Sequence, residues 1–335
     1  MPLRHARLSR HDARTEAMNP PLPDPARERH LQWGVQALWK QLEPLLPGLS
    51  VEVLARSSST NSELLERARI VPGERLASSG DPAEFASRIG RRQADTQPCL
   101  LVAEHQSAGR GRLGRSWRSV RGASLTFSLA LPMAPPDWSG LSLVVGVALA
   151  EALQADLAKS PLQLGLKWPN DLWLVDRSLA GDTPGADVRG GRKLGGVLIE
   201  TLAAGSQRLA VIGIGINIAP IPDLLPADAQ DRHACLREIA PAATAPDALA
   251  RIALPLVQAL KAFDRAGFAG FAARYATLDL LLDQPVVTTD PRLPQGIARG
   301  VNGQGALRVE TAEGLRSISS GEVSVRPGPA AALAA

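Results

Sequence analysis

The chain has 335 residues, of which 45% are hydrophobic and 21% charged, with a formal net charge of +4; this is the balance of a globular protein with one large domain and a smaller one. It excludes a fibrous or wholly disordered chain. The longest apolar stretch, Leu141 to Leu153, is interrupted by Ser142 and Glu151 and falls short of the roughly 20 residues a membrane-crossing helix needs. The charge is too mild to demand nucleic acid.

Arg4, Arg7, Arg10 and Arg14 alternate with Asp12 and Glu16 and precede no apolar run, so the N-terminus does not read as a secretory signal, and its acids count against a mitochondrial presequence. Cys99 and Cys235, the only cysteines, give no disulfide framework and no metal-ligand spacing, so a cytoplasmic location is expected. Residues 1 to 27, with Pro20, Pro21, Pro23 and Pro25, read as a flexible lead-in. Leu31, Val35, Leu38, Trp39 and Leu42 recur at helical spacing and predict one helix over Glu28 to Leu45. A strand follows at Val51 to Arg56, then a helix opened by Thr60 and Glu63 in a capping-box pattern, with Leu64, Leu65 and Ala68 as its apolar face.

Residues 72 to 97, rich in Gly, Ser, Asp and Arg, read as a surface insertion before the strand Cys99 to Glu104. A Gly- and Arg-rich loop at 105 to 118 leads to a strand at Ser124 to Leu131 and a helix from Leu141 to about Leu157. Strands are predicted at Leu164 to Trp168, Leu172 to Val175, Lys193 to Thr201 and Arg208 to Ile218, then helices over Asp247 to Phe263 and Phe268 to Tyr275. Several strands in succession imply an α+β fold whose mixed or antiparallel sheet carries helices on one face. Past Asp283, short strands near 285 to 289, 296 to 301, 305 to 310 and 314 to 319, with Asn302-Gly303 and Glu313-Gly314 as turns, predict a small β-barrel.

The strongest chemical signal is Gly109-Arg110-Gly111-Arg112-Leu113-Gly114-Arg115. Its glycines let the backbone turn sharply and approach a ligand, and its arginines offer planar forks for phosphate or carboxylate oxygens. Taken alone, it is equally a solvated basic loop or an arginine-glycine segment touching nucleic acid. Lys167-Trp168-Pro169-Asn170-Asp171 places a cation, an amide and a carboxylate in one turn between strands, a pattern also ordinary in turns.

Lysine is rare: only Lys40, Lys159, Lys167, Lys193 and Lys261 occur, so a lysine inside a motif suggests a compact point charge that a guanidinium cannot replace. Arg192-Lys193-Leu194-Gly195-Gly196 enters a strand through one of them. The similar stretch Asp176 to Gly181 carries Ser178 at the matching place but runs into a loop, which favours Lys193 as the positioned residue. In Val211 to Ile218 a GxG appears without a third glycine and is followed by Pro220 and Pro222, so it reads as a buried strand ending in Asn217 rather than a dinucleotide fingerprint. No GxxxxGK[ST] occurs, so there is no P-loop.

Ser59-Thr60-Asn61, Gln106 with GRGRLGR, KWPND, KLGGVLIE and GIGIN, in this order, resemble biotin protein ligases over about residues 51 to 218, and Ser320 to Arg326 resembles the end of that family's small SH3-like domain. The resemblance implies a catalytic domain similar to class II aminoacyl-tRNA synthetases over 51 to 280, an SH3-like domain over 281 to 328, a tail at 329 to 335, and an N-terminal extension over 1 to 50 with one helix and no winged helix. It also implies ATP-dependent ligation of biotin, through biotinyl-5'-AMP and with Mg²⁺, to a lysine of a biotin carboxyl carrier protein such as that of acetyl-CoA carboxylase. Lys193, Arg112, Arg115 and Asp171 are the implied catalytic residues. Implied ligand contacts are Ser59, Thr60, Asn61, Gln106, Gly109, Arg110, Gly111, Arg112, Trp117, Asn170, Lys193 and Asn217.

A closing Gly-rich loop, mobile over Gly109 to Arg115 without ligand, would shield a hydrolysable mixed anhydride. No membrane and no operator DNA are expected as partners, and a homodimer is compatible. The insertions at 72 to 97 and 177 to 191 are no part of the family's pattern. A lipoate protein ligase is the near alternative, and a nucleic-acid-binding regulator the alternative of another class.

Overall fold

The computed structural model describes residues 31–69, 96–154, 161–176, 190–204, 207–221, 232–319 and 323–328. The lead-in at 1 to 27, most of the 72 to 97 insertion and residues 177–189, Ser178 included, lie outside them.

A seven-stranded sheet organises the main part. Its strands are β1 (Ser50–Leu54), β2 (Cys99–Ala103), β5 (Ser124–Met133), β6 (Leu162–Lys167), β7 (Asp171–Asp176), β8 (Arg192–Ala204) and β9 (Gln207–Asn217), in the order β1-β2-β5-β9-β8-β7-β6. β1 and β2 run parallel and the other neighbours antiparallel, so the sheet is mixed. A two-stranded ribbon, β3 (Gly109–Arg110) with β4 (Ser116–Trp117), holds the Gly- and Arg-rich loop.

Both faces of this sheet are covered. On one face lie α3 (Leu141–Gln154), buried at Val144, Val145, Val147, Ala148 and Leu149, and α4 (Ala245–Ala266), which turns Leu249, Ile252, Leu256, Leu260 and Phe263 inward. Thr244 caps α4 by accepting from Asp247 N, and Gly267, at φ 67°, ends it in a conformation that favours glycine. On the opposite face, α2 (Thr60–Arg69) packs Leu64, Leu65 and Ala68 on Cys99, Leu101, Leu209 and Val211. Strand alternation in β2 explains the split: Leu100 and Val102 face the main core while Cys99 and Leu101 face α2. The expectation of helices on one face is thereby corrected.

The capping box expected at Thr60 is corrected too. Ser59 precedes the helix and accepts from Ser62 N at 3.5 Å, while the Glu63 carboxylate goes to Arg67. This leaves the Thr60 hydroxyl for the site. The expected first helix shortens to α1 (Val35–Leu42); just before it, buried Glu104 accepts from Leu31 N and Trp33 Nε1 and pairs with Arg121, tying the 31–33 segment to the end of β2.

After the short helix α5 (Ala272–Ala276), five antiparallel strands form a second sheet: β10 (Pro285–Thr288), β11 (Gln295–Val301), β12 (Leu307–Thr311), β13 (Gly314–Ile318) and β14 (Val325–Pro327), ordered β13-β12-β11-β10-β14. Among the described residues β13 and β14 do not pair, so the sheet is not a closed barrel as expected. It is joined to the main part by the fully buried Trp168, whose indole donates to Gly305 O at 3.1 Å, and by close approach of Gly305 to Gly140.

The junction contains a buried acid. Asp279 bridges to Leu166 of β6, accepts from Leu281 N at 2.9 Å and faces the Tyr275 hydroxyl and Asp283. Burial pushes its carboxyl from the ordinary 3.8 up to about 6, against the pull of the Leu281 amide and Tyr275. Because the folded value lies above the unfolded one, the favourable contribution is complete below pH 4 and is lost as pH rises through 6, about 3 kcal/mol at about 1.4 kcal/mol per tenfold. Asp279→Asn is therefore expected to gain stability over the parent more at pH 7.5 than at pH 4.5 in urea unfolding. An equal difference at both values would contradict this.

Candidate functional site

One cleft opens where the ends of β6, β7, β8 and β9 meet the Gly- and Arg-rich ribbon and the 323–325 segment. Its lining includes Ser59, Thr60, Asn61, Gln106, Arg110, Gly111, Arg112, Arg115, Trp117, Asn170, Asp171 and Lys193, so residues spread over 135 positions converge. Gly109 and Asn217 lie outside that lining.

Lys193 is aimed by an irregularity in the sheet. Asp171 pairs with Gly196 and Leu172 with Gly195, but Trp173 then pairs with Lys193, so β8 carries one extra residue, Leu194. In a regular ladder Lys193 and Asp171 would face opposite sides; the bulge puts them on the same side. Nζ of Lys193 lies 2.7 Å from Asp171 Oδ1 and 5.9 Å from the Trp117 ring centre. Gly196 leaves room for the pair, since an added Cβ would stand 3.3 Å from Nζ and 3.4 Å from Oδ1.

The backbone of Lys193 is equally fixed. Its N–H donates to Arg232 O at 2.8 Å, and its carbonyl accepts from Ala234 N at 2.9 Å and Asn217 Nδ2 at 3.3 Å. Asn217, expected as a ligand contact, also donates to Ala234 O, so its NH₂ group clamps the Lys193 segment.

Lys167 and Asp171 are cross-strand partners on either side of the Trp168-Pro169-Asn170 turn. Lys167 Nζ stands 3.9 Å from Asp171 Oδ2 and 5.3 Å from the Trp173 ring. Burial pushes its ammonium below the usual lysine range; Asp171 pulls it back up, while Lys193, Arg115 and Arg326 push it further down. Asn170 fastens the turn to β8 by donating to Val197 O at 2.8 Å, and its Oδ1 accepts from Arg112 at 3.3 Å.

Arg112 and Arg115 reach the C-terminal segment, Arg112 at Val323 O and Arg115 at Ser324 Oγ, each at 3.4 Å. Arg110 points the other way, onto Glu200 at 2.6 Å. Gly109 is a packing glycine: a Cβ there would strike the Trp117 carbonyl, so it permits the ribbon rather than touching the cleft. The lining thus holds five Arg and Lys side chains against one carboxylate, Asp171, an arrangement that stabilises a polyanion.

The inner wall is neutral and polar. The parallel pairing of β1 and β2 extends through a bridge between Ser57 and Gln106, bringing Gln106 Oε1 to Thr60 N at 2.8 Å. Thr60, Ser128 and Asn61 follow in contact, and the GxG of β9 makes the space: a Cβ on Gly213 would collide with Asn61, and one on Gly215 with the Trp117 ring. The sequence reading missed His233, Phe127 and the 323–325 segment as lining. His233 sits in an irregular stretch that bridges to Lys193, and no motif marks it.

A cleft with a cationic mouth and a hydrogen-bonding neutral wall defines a site for a small acid that becomes joined to a phosphate. The biotin/lipoate A/B protein ligase family matches residues 89–217, and the biotin protein ligase C-terminal domain matches 282–326. The bifunctional ligase/repressor BirA of Escherichia coli is 34% identical over 86% of this chain and 77% of its own. The biotin--[acetyl-CoA-carboxylase] ligase of Mycobacterium tuberculosis is 30% identical over 92% of this chain and 97% of its own. Among solved structures, the Aquifex aeolicus biotin protein ligase in complex with biotin and ATP superposes with a TM-score of 0.59 at 26% identity, covering 83% of this chain and 99% of that one. The chain belongs to the biotin protein ligases within the biotin/lipoate A/B protein ligase family.

Proposed function

We propose that this protein activates biotin with ATP to biotinyl-5'-AMP and transfers the biotinyl group to a lysine of a biotin carboxyl carrier protein, such as that of acetyl-CoA carboxylase. The observation that carries this reading is the convergence of Lys193, Arg112, Arg115 and Asp171 at the mouth of a cleft whose inner wall is Thr60, Asn61 and Gln106. A ureido ring both donates and accepts, which suits that wall, and the charged end of the acid then faces the cations. The relatives from Mycobacterium tuberculosis and Paracoccus denitrificans are biotin--[acetyl-CoA-carboxylase] ligases, which favours biotin over lipoate.

In the first step a biotin carboxylate oxygen attacks the α-phosphorus of ATP and pyrophosphate leaves. Lys193, Arg112 and Arg115 neutralise the charge gathering on the transferred group. In the second, the acceptor amine attacks the mixed anhydride, AMP leaves, and the amine's proton is lost. Asp171 holds Lys193 in the first step and orients the incoming amine in the second. Among the described residues no group of three or more His, Cys, Asp or Glu could hold a metal; the residues present suit Mg²⁺ carried on the phosphates of ATP.

The Gly109 to Arg115 loop closes over the adenylate. Leu113 supports this: it is held at φ 57° with its side chain half exposed, a strained position of the kind found in moving loops. Hydrogen exchange across this loop is expected to slow when biotin and ATP are added together; equal protection would contradict the gating. We place the catalytic part at 51 to 280 and the SH3-like part at 281 to 328, in a cytoplasmic protein. The overall reading is tested by incubating the protein with labelled biotin, ATP, Mg²⁺ and a carrier domain. Label on the carrier is expected; none would refute it.

A further inference from the structure

Glu200, on β8, lies outside the cleft lining, yet it touches two residues that form it. Its Oε2 accepts from Asn61 Nδ2 at 2.9 Å and from Arg110 Nη2 at 2.6 Å. Asn61 is buried, and its Oδ1 accepts from Ser128 Oγ at 2.6 Å. Ser128 Oγ in turn stands 2.6 Å from Thr60 Oγ1.

Resting on the ligase reading above, we propose that Glu200 is a positioning residue that holds Asn61, and through it Ser128 and Thr60, in the wall facing the ureido ring. The Glu200 carboxylate and the Leu198 carbonyl, 3.3 Å from Asn61 Nδ2, only accept, so together they hold the Asn61 NH₂ group on their side and its oxygen toward Ser128. Ser128 has a single hydroxyl proton and must donate it to Asn61. The single Thr60 hydroxyl proton is then shared between Ser128 Oγ and Gln106 Oε1, which lies 3.2 Å away. Gln106 is oriented independently of Glu200: its oxygen accepts from Thr60 N and its NH₂ group is left as the donor. The wall therefore offers a cyclic urea the Gln106 NH₂ group as a donor beside the Thr60 hydroxyl. Through Arg110 the same carboxylate anchors the Gly- and Arg-rich ribbon to β8.

Glu200→Gln keeps the size and one accepting oxygen but loses the charge, so the bonds that hold Asn61 and Arg110 weaken together. Measured by ATP–pyrophosphate exchange on the full-length protein, Glu200→Gln is expected to raise KM for biotin, and for desthiobiotin with the same ring, about tenfold. The KM for ATP and kcat stay within about twofold, a split that general loss of structure would not produce. A biotin KM unchanged, or all three constants moving together, overturns the proposal. Should the parent show no biotin-dependent exchange, the ligase reading fails by itself. The anchoring half is still read without substrate: hydrogen exchange over Gly109 to Ser116 must rise in Glu200→Ala, and unchanged exchange overturns it.

Discussion

Lys193→Met is expected to cut biotin transfer by about 10²- to 10³-fold, the loss associated with removing a single group aimed at developing charge. Methionine keeps much of the length and apolar stem, so the change isolates the ammonium. That ammonium is held on the reactive side by the Leu194 bulge, by Asp171 at 2.7 Å and by the space over Gly196. Lys193→Arg is expected to fall nearly as far, because a guanidinium is broader than the space beside Gly196 and cannot act as a compact charge. Transfer assays with labelled biotin and a carrier domain check both; parent-like rates in Lys193→Met would remove this lysine from the chemistry.

Trp168→Ala is expected to destabilise the fold by about 3 to 5 kcal/mol, the range for emptying a fully buried aromatic site. The indole is completely enclosed and donates to Gly305 O, so its loss opens a cavity and also unties the second sheet from the first. It adjoins Lys167, Asn170 closes the same turn and Asp171 begins β7 directly after it, so activity should fall along with stability. Urea unfolding measures this, and a loss under about 1 kcal/mol would show that the indole is not the junction's anchor.

Much of the architecture was legible because periodicity reports burial. The alternation through β8 and β9 and the apolar helix α3 are plain in the sequence, and the short C-terminal runs read as strands. Which face a helix covers is not encoded in its own pattern: the apolar stripe of α2 says only that it packs on something, and it packs on the side away from α3. The fifth strand of the second sheet, β14, is three residues ending in Pro327, too short to show an alternation. Asn302-Gly303 marks the turn between β11 and β12, but its width is set by Asn302 N pairing with Ala306 O and by Gly305 at φ 76°.

In the site, Lys167, Asp171 and Lys193 lie at strand ends and Thr60 and Asn61 at the start of α2, where the backbone ladder and the helix fix the main chain. What the linear pattern hides is the register. The bulge at Leu194 decides that Lys193 meets Asp171, and only the glycine pair after it hints at the space required. Glu200 reads as an ordinary polar residue toward the end of an apolar run; its role appears only when Asn61 and Arg110, 139 and 90 residues away, reach it.

The central claim is that one cleft gathers a small acid and the triphosphate of ATP under the same cations. Exchange of labelled pyrophosphate into ATP, measured with and without biotin and with no acceptor protein present, tests it most directly. The account predicts exchange that requires biotin and is abolished in Lys193→Met. Exchange that proceeds equally without biotin, or its absence in the parent protein, would contradict it.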